Sequence, residues 1–182
     1  EDAGGVFRDL QGQSIPSLEL AKKYSYEWVR LRIMVDPNGR YALFQDLSYV
    51  LRMMRDAKGL GLKVLLDFHY SHWWADGDNQ WAPERWMGLE KEQVQEGVYN
   101  YTHRVMSVLQ GNDVVPEAVQ IGNEITQGML WDHGKIPTHW TLEDIPPQWY
   151  VLKDFLQAGI DAVYDVVPSK KKRPKIMIHL DR

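Results

Sequence analysis

The segment Lys63-Val64-Leu65-Leu66-Asp67-Phe68-His69 decides the fold class. Val64, Leu66 and Phe68 fall on one parity, while Asp67 and His69 fall on the other. Side chains alternate along a strand, so the segment reads as a strand with an apolar face and polar groups opposite it. Three more segments read the same way: Val29–Val35 (VRLRIMV), Ala118–Glu124 (AVQIGNE) and Lys175–Asp181 (KIMIHLD). Helical patterns lie between them. Tyr41–Leu60 repeats Leu43, Leu47, Val50, Met54 and Ala57 and stops at Gly59 and Gly61; Lys91–Gln110 repeats Val94, Val98, Tyr101, Val105 and Leu109. Pro147–Val167 repeats Tyr150, Phe155, Ala158 and Ala162, and a shorter piece, Ser17–Tyr26, precedes the first strand. Strands alternating with helices of this length specify βαβ units and an α/β fold with a parallel sheet, open or closed.

The same parity runs through all four strands. Val29, Leu31, Ile33 and Val35, then Val119 and Ile121, then Ile176, Ile178 and Leu180 suit packing beneath helices. The opposite parity carries Arg30, Arg32, Asp67, His69, Gln120, Glu124, His179 and Asp181. Buried charge is costly unless paired, so polar groups on one face of four strands, mostly toward their carboxyl ends, read as one site. Each taken alone also fits a salt bridge between neighbouring strands, such as Arg32 with Asp67. Gly122-Asn123-Glu124 ends its strand with a carboxylate beside an amide, a pairing suited to proton transfer next to a hydroxyl-binding group.

Spacing adds a second clue. The strands start at residues 29, 63, 118 and 175, successive gaps of 34, 55 and 57 residues. A βαβ unit needs about 30 residues, and the surplus falls after strands, in Tyr70–Glu90 and Ile125–Pro146. Loops at the carboxyl ends of parallel strands are where α/β proteins build sites. Six of the eight Trp lie in these two loops: Trp73, Trp74, Trp81, Trp86, Trp131 and Trp140. A Trp on a loop either anchors that loop or offers its face to the C–H side of a sugar ring, and six together favour the second reading.

Composition excludes other classes. The 182 residues are 44% hydrophobic and 25% charged, with a net charge of −4, an ordinary globular balance that is too mild for a basic nucleic-acid binder. No apolar run approaches the ~20 residues of a membrane helix. Without Cys, thiol catalysis, disulfides and thiolate metal sites are excluded, and the compartment stays open. Glu1-Asp2-Ala3-Gly4-Gly5 does not read as a signal peptide, although a mature secreted chain would look the same. The six His show no HxxxH or HExxH spacing, so neither a metal nor any other cofactor is expected. Lys170–Arg173 reads as a solvated turn. Asn100-Tyr101-Thr102 is a glycosylation sequon, but inside a helix whose Tyr101 faces the core.

The runs V-R-L-R-x-x-V-D-P (Val29–Pro37), K-V-L-L-D-F-H-Y-S (Lys63–Ser71), W-A-D (Trp74–Asp76), V-Q-I-G-N-E-I (Val119–Ile125), G-M-L-W (Gly128–Trp131) and K-I-M-I-H-L-D (Lys175–Asp181) closely resemble the family 53 glycoside hydrolases. These are endo-β-1,4-galactanases of the large (β/α)8 clan with two catalytic glutamates. The resemblance implies retaining hydrolysis of β-1,4-galactan, the side chain of pectic arabinogalactan, by a secreted, periplasmic or cell-surface enzyme. Glu124 would be the general acid/base, and Asn123 would bind the sugar 2-hydroxyl. Arg30 or Arg32 would support the nucleophile's carboxylate. Asp67, His69, Trp74 and Trp86, with Trp131, His179 and Asp181, would line the cleft. The resemblance also implies that residues 1–182 form a partial (β/α)8 barrel, strands two to five, without the first strand and the last three βα units. The nucleophilic Glu of the seventh strand then has no counterpart here, and a missing segment or second chain would complete the barrel. The rival readings are a galactan-binding protein without catalysis and a half-barrel that assembles with another half. Two positions depart from the family's S-D-x-W-A-D-P: His72 stands for an acidic residue and Gly77 for the proline.

Overall fold

The computed structural model describes residues 4–37 and 44–181. Tyr41 and Leu43 of the expected second helix, and Glu1, Asp2 and Ala3, lie outside the described residues. The elements run α1 (Ser17–Lys23), β1 (Trp28–Ile33), α2 (Leu47–Gly59), β2 (Lys63–Phe68), α3 (Lys91–Gly111), β3 (Ala118–Ile121), α4 (Gln148–Val166) and β4 (Lys175–Met177). All pairings are parallel and the strand order is β1-β2-β3-β4, the same as in the sequence. A doubly wound sheet reverses its strand order partway, whereas strands added in sequence on one side form an arc of a barrel. The alternation that left open and closed sheets undecided is thus resolved as part of a (β/α)8 arrangement.

The apolar parity packs as expected over most of the sheet. Ile33, Val64, Leu66, Phe68, Val119 and Ile121 join one core with Val50, Met54, Val98, Val105, Phe155 and Val163 from the helices. Asp46 caps α2 by accepting from Tyr49 N–H at 2.8 Å, and Glu90 with Gln93 forms a capping box on α3. Tyr70 follows β2 with φ +48° and is fully buried; its hydroxyl meets Thr102 Oγ1 at 2.6 Å, and burial raises the phenol above its ordinary range. Thr102 of the sequon is therefore committed to the interior of α3.

Two strand expectations need correction. β3 ends at Ile121 instead of Glu124, because Gly122 and Glu124 have φ of +79° and +51°, outside the extended region. β4 ends at Met177, and Ile178 and Leu180 are 42% and 57% exposed instead of lying beneath a helix.

Candidate active site

The polar parity of the sheet converges on Asp67, a carboxylate with no exposure to solvent. Arg30 Nη2 lies 2.9 Å from its Oδ2, His69 Nε2 lies 3.1 Å from the same oxygen, and Gln120 Nε2 donates to Oδ1 at 2.7 Å. Ala75 N–H donates to His69 Nδ1 at 3.2 Å, so the ring proton sits on Nε2 and faces Asp67. Three donors around one carboxylate offset its desolvation. Asp67 and His69 are thus the buried support of the site, in place of the cleft-lining role expected of them. Of the two strand arginines, Arg30 enters this network, also donating to Gln120 Oε1 at 3.1 Å and to Asn123 Oδ1. Arg32 instead stacks over Trp74, its guanidinium carbon 3.9 Å from the ring centroid. Burial pulls the Arg32 guanidinium below its ordinary range, and Asp67 opposes the shift.

Beyond Ile121 simple alternation fails, and the failure brings both Asn123 and Glu124 into use. A Cβ on Gly122 would lie 2.8 Å from Ile125 Cγ2, so a close approach as well as a positive φ requires glycine there. Asn123 is buried; its Nδ2 donates to Ala75 O at 2.8 Å, and His179 Nδ1 lies 2.8 Å from its Oδ1. Asn123 Oδ1 also accepts from Arg30 and Gln120, and Glu124 N–H points at the same His179 Nδ1 at 3.3 Å, so this ring nitrogen stands between an acceptor and a donor. Among the described residues Ala75 O is the one acceptor of Asn123 Nδ2, which leaves its second hydrogen unbonded. Glu124 is half-buried in left-handed backbone (φ 51°, ψ 47°), and its Oε2 accepts from Gly77 N–H at 3.3 Å. Asp181 lies alongside, its N–H donating to Thr126 Oγ1 at 3.1 Å.

Gln80 had no sequence signal, yet it secures this corner. It is 2% exposed, and its Nε2 donates to Asp76 O at 2.8 Å and Asn123 O at 2.7 Å. The tryptophans divide. Trp74 is 36% exposed above His69, and Trp81 is 53% exposed. Trp131 is half-buried, with Lys135 Nζ 3.9 Å from its ring centroid. Trp81 and Trp131 line a groove of about 780 Å³ with Met87 and Lys135. Trp86 borders the same groove with little of its surface: at 6% exposure it packs edge-on against Tyr101 and sits where a Cβ on Gly97 would meet it at 2.8 Å. Its ring belongs to the core. Trp140 packs against Trp149 of α4, anchoring its loop. Among the described residues no three His, Asp or Glu side chains form a metal-ligating group.

These groups supply a half-exposed carboxylate at the carboxyl end of a parallel strand, an amide hydrogen beside it, and an exposed indole nearby. That set can transfer a proton to or from a hydroxylated ligand.

Comparison with known proteins gives the same direction. An uncharacterized protein in the bgaB 5′ region of Niallia circulans is 41% identical over the whole chain. A probable arabinogalactan endo-beta-1,4-galactanase A of Neosartorya fischeri is 34% identical over the whole chain. The chain spans 47% of the length of each of these relatives. The solved GH53 catalytic domain of Ignisphaera aggregans superposes with a TM-score of 0.82 at 34% identity, covering 98% of this chain and 47% of that one. The family model for glycosyl hydrolase family 53 matches residues 1–182, and the chain belongs to that family.

Proposed function

We propose that this chain is the acid/base portion of a retaining endo-β-1,4-galactanase. Its substrate is the β-1,4-galactan of type I arabinogalactan, met outside the cell or at its surface. The observation that carries the reading is Glu124, held by Gly77 at a strand end above the Arg30–Asp67–Asn123–His179 network. In the first step Glu124 gives a proton to the glycosidic oxygen while a second carboxylate attacks the anomeric carbon. In the second step it takes a proton from the water that releases the sugar. The free hydrogen of Asn123 Nδ2 meets the 2-hydroxyl, and Trp74 offers its face to a sugar ring. No cofactor takes part.

The two carboxyl groups of a retaining glycosidase stand ~5–5.5 Å apart across the scissile bond. Asp67 is fully buried and saturated by three donors, so it does not serve as nucleophile. On this reading residues 1–182 are part of the catalytic domain, and the nucleophile comes from the remainder of the barrel, whether on the same chain or a second one. Reducing-end release from galactan by the whole protein tests the proposal. Glu124→Gln lowers the rate on the order of 10²–10⁴-fold, and a variant that keeps wild-type turnover overturns the assignment. Binding of galactan by the whole protein without cleavage favours the non-catalytic reading.

A further inference from the structure

The turn containing Gly77 is fixed from several directions. Asp76 and Asn79 exchange backbone bonds of 2.9 and 3.2 Å, and Asp76 Oδ1 accepts from Asp78 N–H at 2.9 Å and Asn79 Nδ2 at 3.1 Å. Gln80 Nε2 then ties Asp76 O to Asn123 O, so the turn and the strand end that bears Glu124 move as one piece. Gly77 N–H is delivered to Glu124 Oε2 by this frame. On its other side, a Cβ at Gly77 would lie 2.6 Å from Asp181 Oδ2. A Cβ there would displace the Asp181 carboxylate, a movable side-chain end, and no left-handed φ adds to the demand for glycine.

We propose that Gly77 is a positioning residue for Glu124: its N–H engages Oε2 and leaves Oε1 as the oxygen that exchanges the proton, while its missing Cβ makes room for Asp181. This rests on the reading of Glu124 as the acid/base. A proline at this place would carry no N–H, so the bond requires a residue that keeps its amide hydrogen. No described residue bonds Glu124 Oε1. In the first step the Oε1–H bond breaks as that proton moves to the departing glycosidic oxygen, whose bond to the anomeric carbon breaks. In the second, Oε1 removes a proton from the water whose oxygen bonds to that carbon.

Two variants isolate the bond. Gly77→Pro removes the N–H and adds a Cβ; Gly77→Ala adds the same Cβ and keeps the N–H. In amide NMR of the whole protein, the Gly77 proton shift follows a carboxyl ionisation, and Glu124→Gln abolishes that response. A Gly77 amide that does not titrate, or that titrates unchanged in Glu124→Gln, overturns the proposal whatever becomes of hydrolysis. In the whole protein, kcat on galactan falls about tenfold further in Gly77→Pro than in Gly77→Ala, as expected for loss of a hydrogen bond to a charged group. KM is similar in the two. Equal kcat in the two variants also overturns it. If the amide follows Glu124 while Glu124→Gln hydrolyses galactan at the wild-type rate, the bond is supported and the acid/base reading is the one that falls.

Discussion

Arg30 on β1 forms an ion pair of 2.9 Å with Asp67 on β2, although the residue in register with Asp67 is Arg32. The pair runs diagonally across the strands and leaves Arg32 free to stack on Trp74. Asp67 is fully buried, whereas the Arg30 side chain is 41% exposed. Removing the arginine therefore leaves a buried charge with His69 and Gln120 as its partners among the described residues. Arg30→Met is expected to lower unfolding stability by about 2–3 kcal/mol, below the ~3–5 of a wholly buried pair because one partner meets water. Asp67→Asn in the same background recovers part of the loss, since the charge needing compensation is gone. Urea unfolding of the two single variants and the double variant measures this, and strict additivity would contradict the diagonal pairing.

Trp74 and Trp86 separate binding from stability. Trp86→Ala empties a core position beside Tyr101 and Gly97 and is expected to cost about 3–5 kcal/mol of stability. Trp74→Ala removes an exposed ring, with an expected stability loss of about 1 kcal/mol from its cation–π contact with Arg32. Its larger effect is on galactan affinity in the whole protein, weakened about tenfold. Thermal melts and binding isotherms on both variants provide the test, and matched effects would remove the distinction drawn between them.

The sheet was legible in the sequence because its signal is local: alternation from Val64 to Phe68 needs no knowledge of the neighbouring strand. The legible part of the site followed from the same alternation, which puts Arg30, Asp67 and Gln120 on one face. It could not show which arginine reaches Asp67, because diagonal reach depends on strand twist and on Trp74 occupying Arg32. Past Ile121 the period of two breaks at Gly122, so parity accounts for neither Asn123 nor the orientation of Glu124. Trp86 shared its loop and residue type with Trp74, and only tertiary packing separates core from rim. Gln80 lay in no pattern at all: a polar residue in a loop looks solvated until its three carbonyl partners are in place. Gly77 did leave a trace, as a departure from the family's proline.

Gln80 makes a separate prediction because its Nε2 serves backbone carbonyls. Gln80→Leu is close in size but leaves Asn123 O without its 2.7 Å donor in a buried place and takes from Asp76 O one of two donors, the Asn79 N–H remaining. The expected loss is about 2 kcal/mol, in the range for buried carbonyls left unsatisfied. Hydrogen exchange at Gly77 and Asn79 accelerates in this variant, while amides in the centre of α3 keep their protection relative to global stability. Uniform acceleration across the chain would instead mean that Gln80 acts only on global stability.

Glu117 gives the chain a predicted acid sensitivity far from the candidate site. It sits just before β3, where its carboxylate accepts from Val64 N–H at 2.7 Å and pairs with Lys58 of α2. Its own N–H donates to Val64 O and its carbonyl accepts from Lys175 N–H, so one residue joins the amino ends of β2 and β4 to α2. Burial pushes the Glu117 carboxyl up, but the Lys58 hydrogen bond, the Val64 N–H and the charge of Lys58 together bring it below its ordinary value. A folded-state value below the unfolded one means that the unfolded chain binds the proton more readily. The contribution is thus fully present above the unfolded carboxylate range and disappears as pH falls through the lower folded value. Because the side chain is 39% exposed, solvent screening limits it to below about 1 kcal/mol. Glu117→Gln keeps an acceptor for Val64 N–H and removes only the charge. Its stability should fall short of wild type at neutral pH and converge with it in acid, below the folded-state value. A constant difference across the titration would show that Glu117 contributes through packing and not through its ionised form.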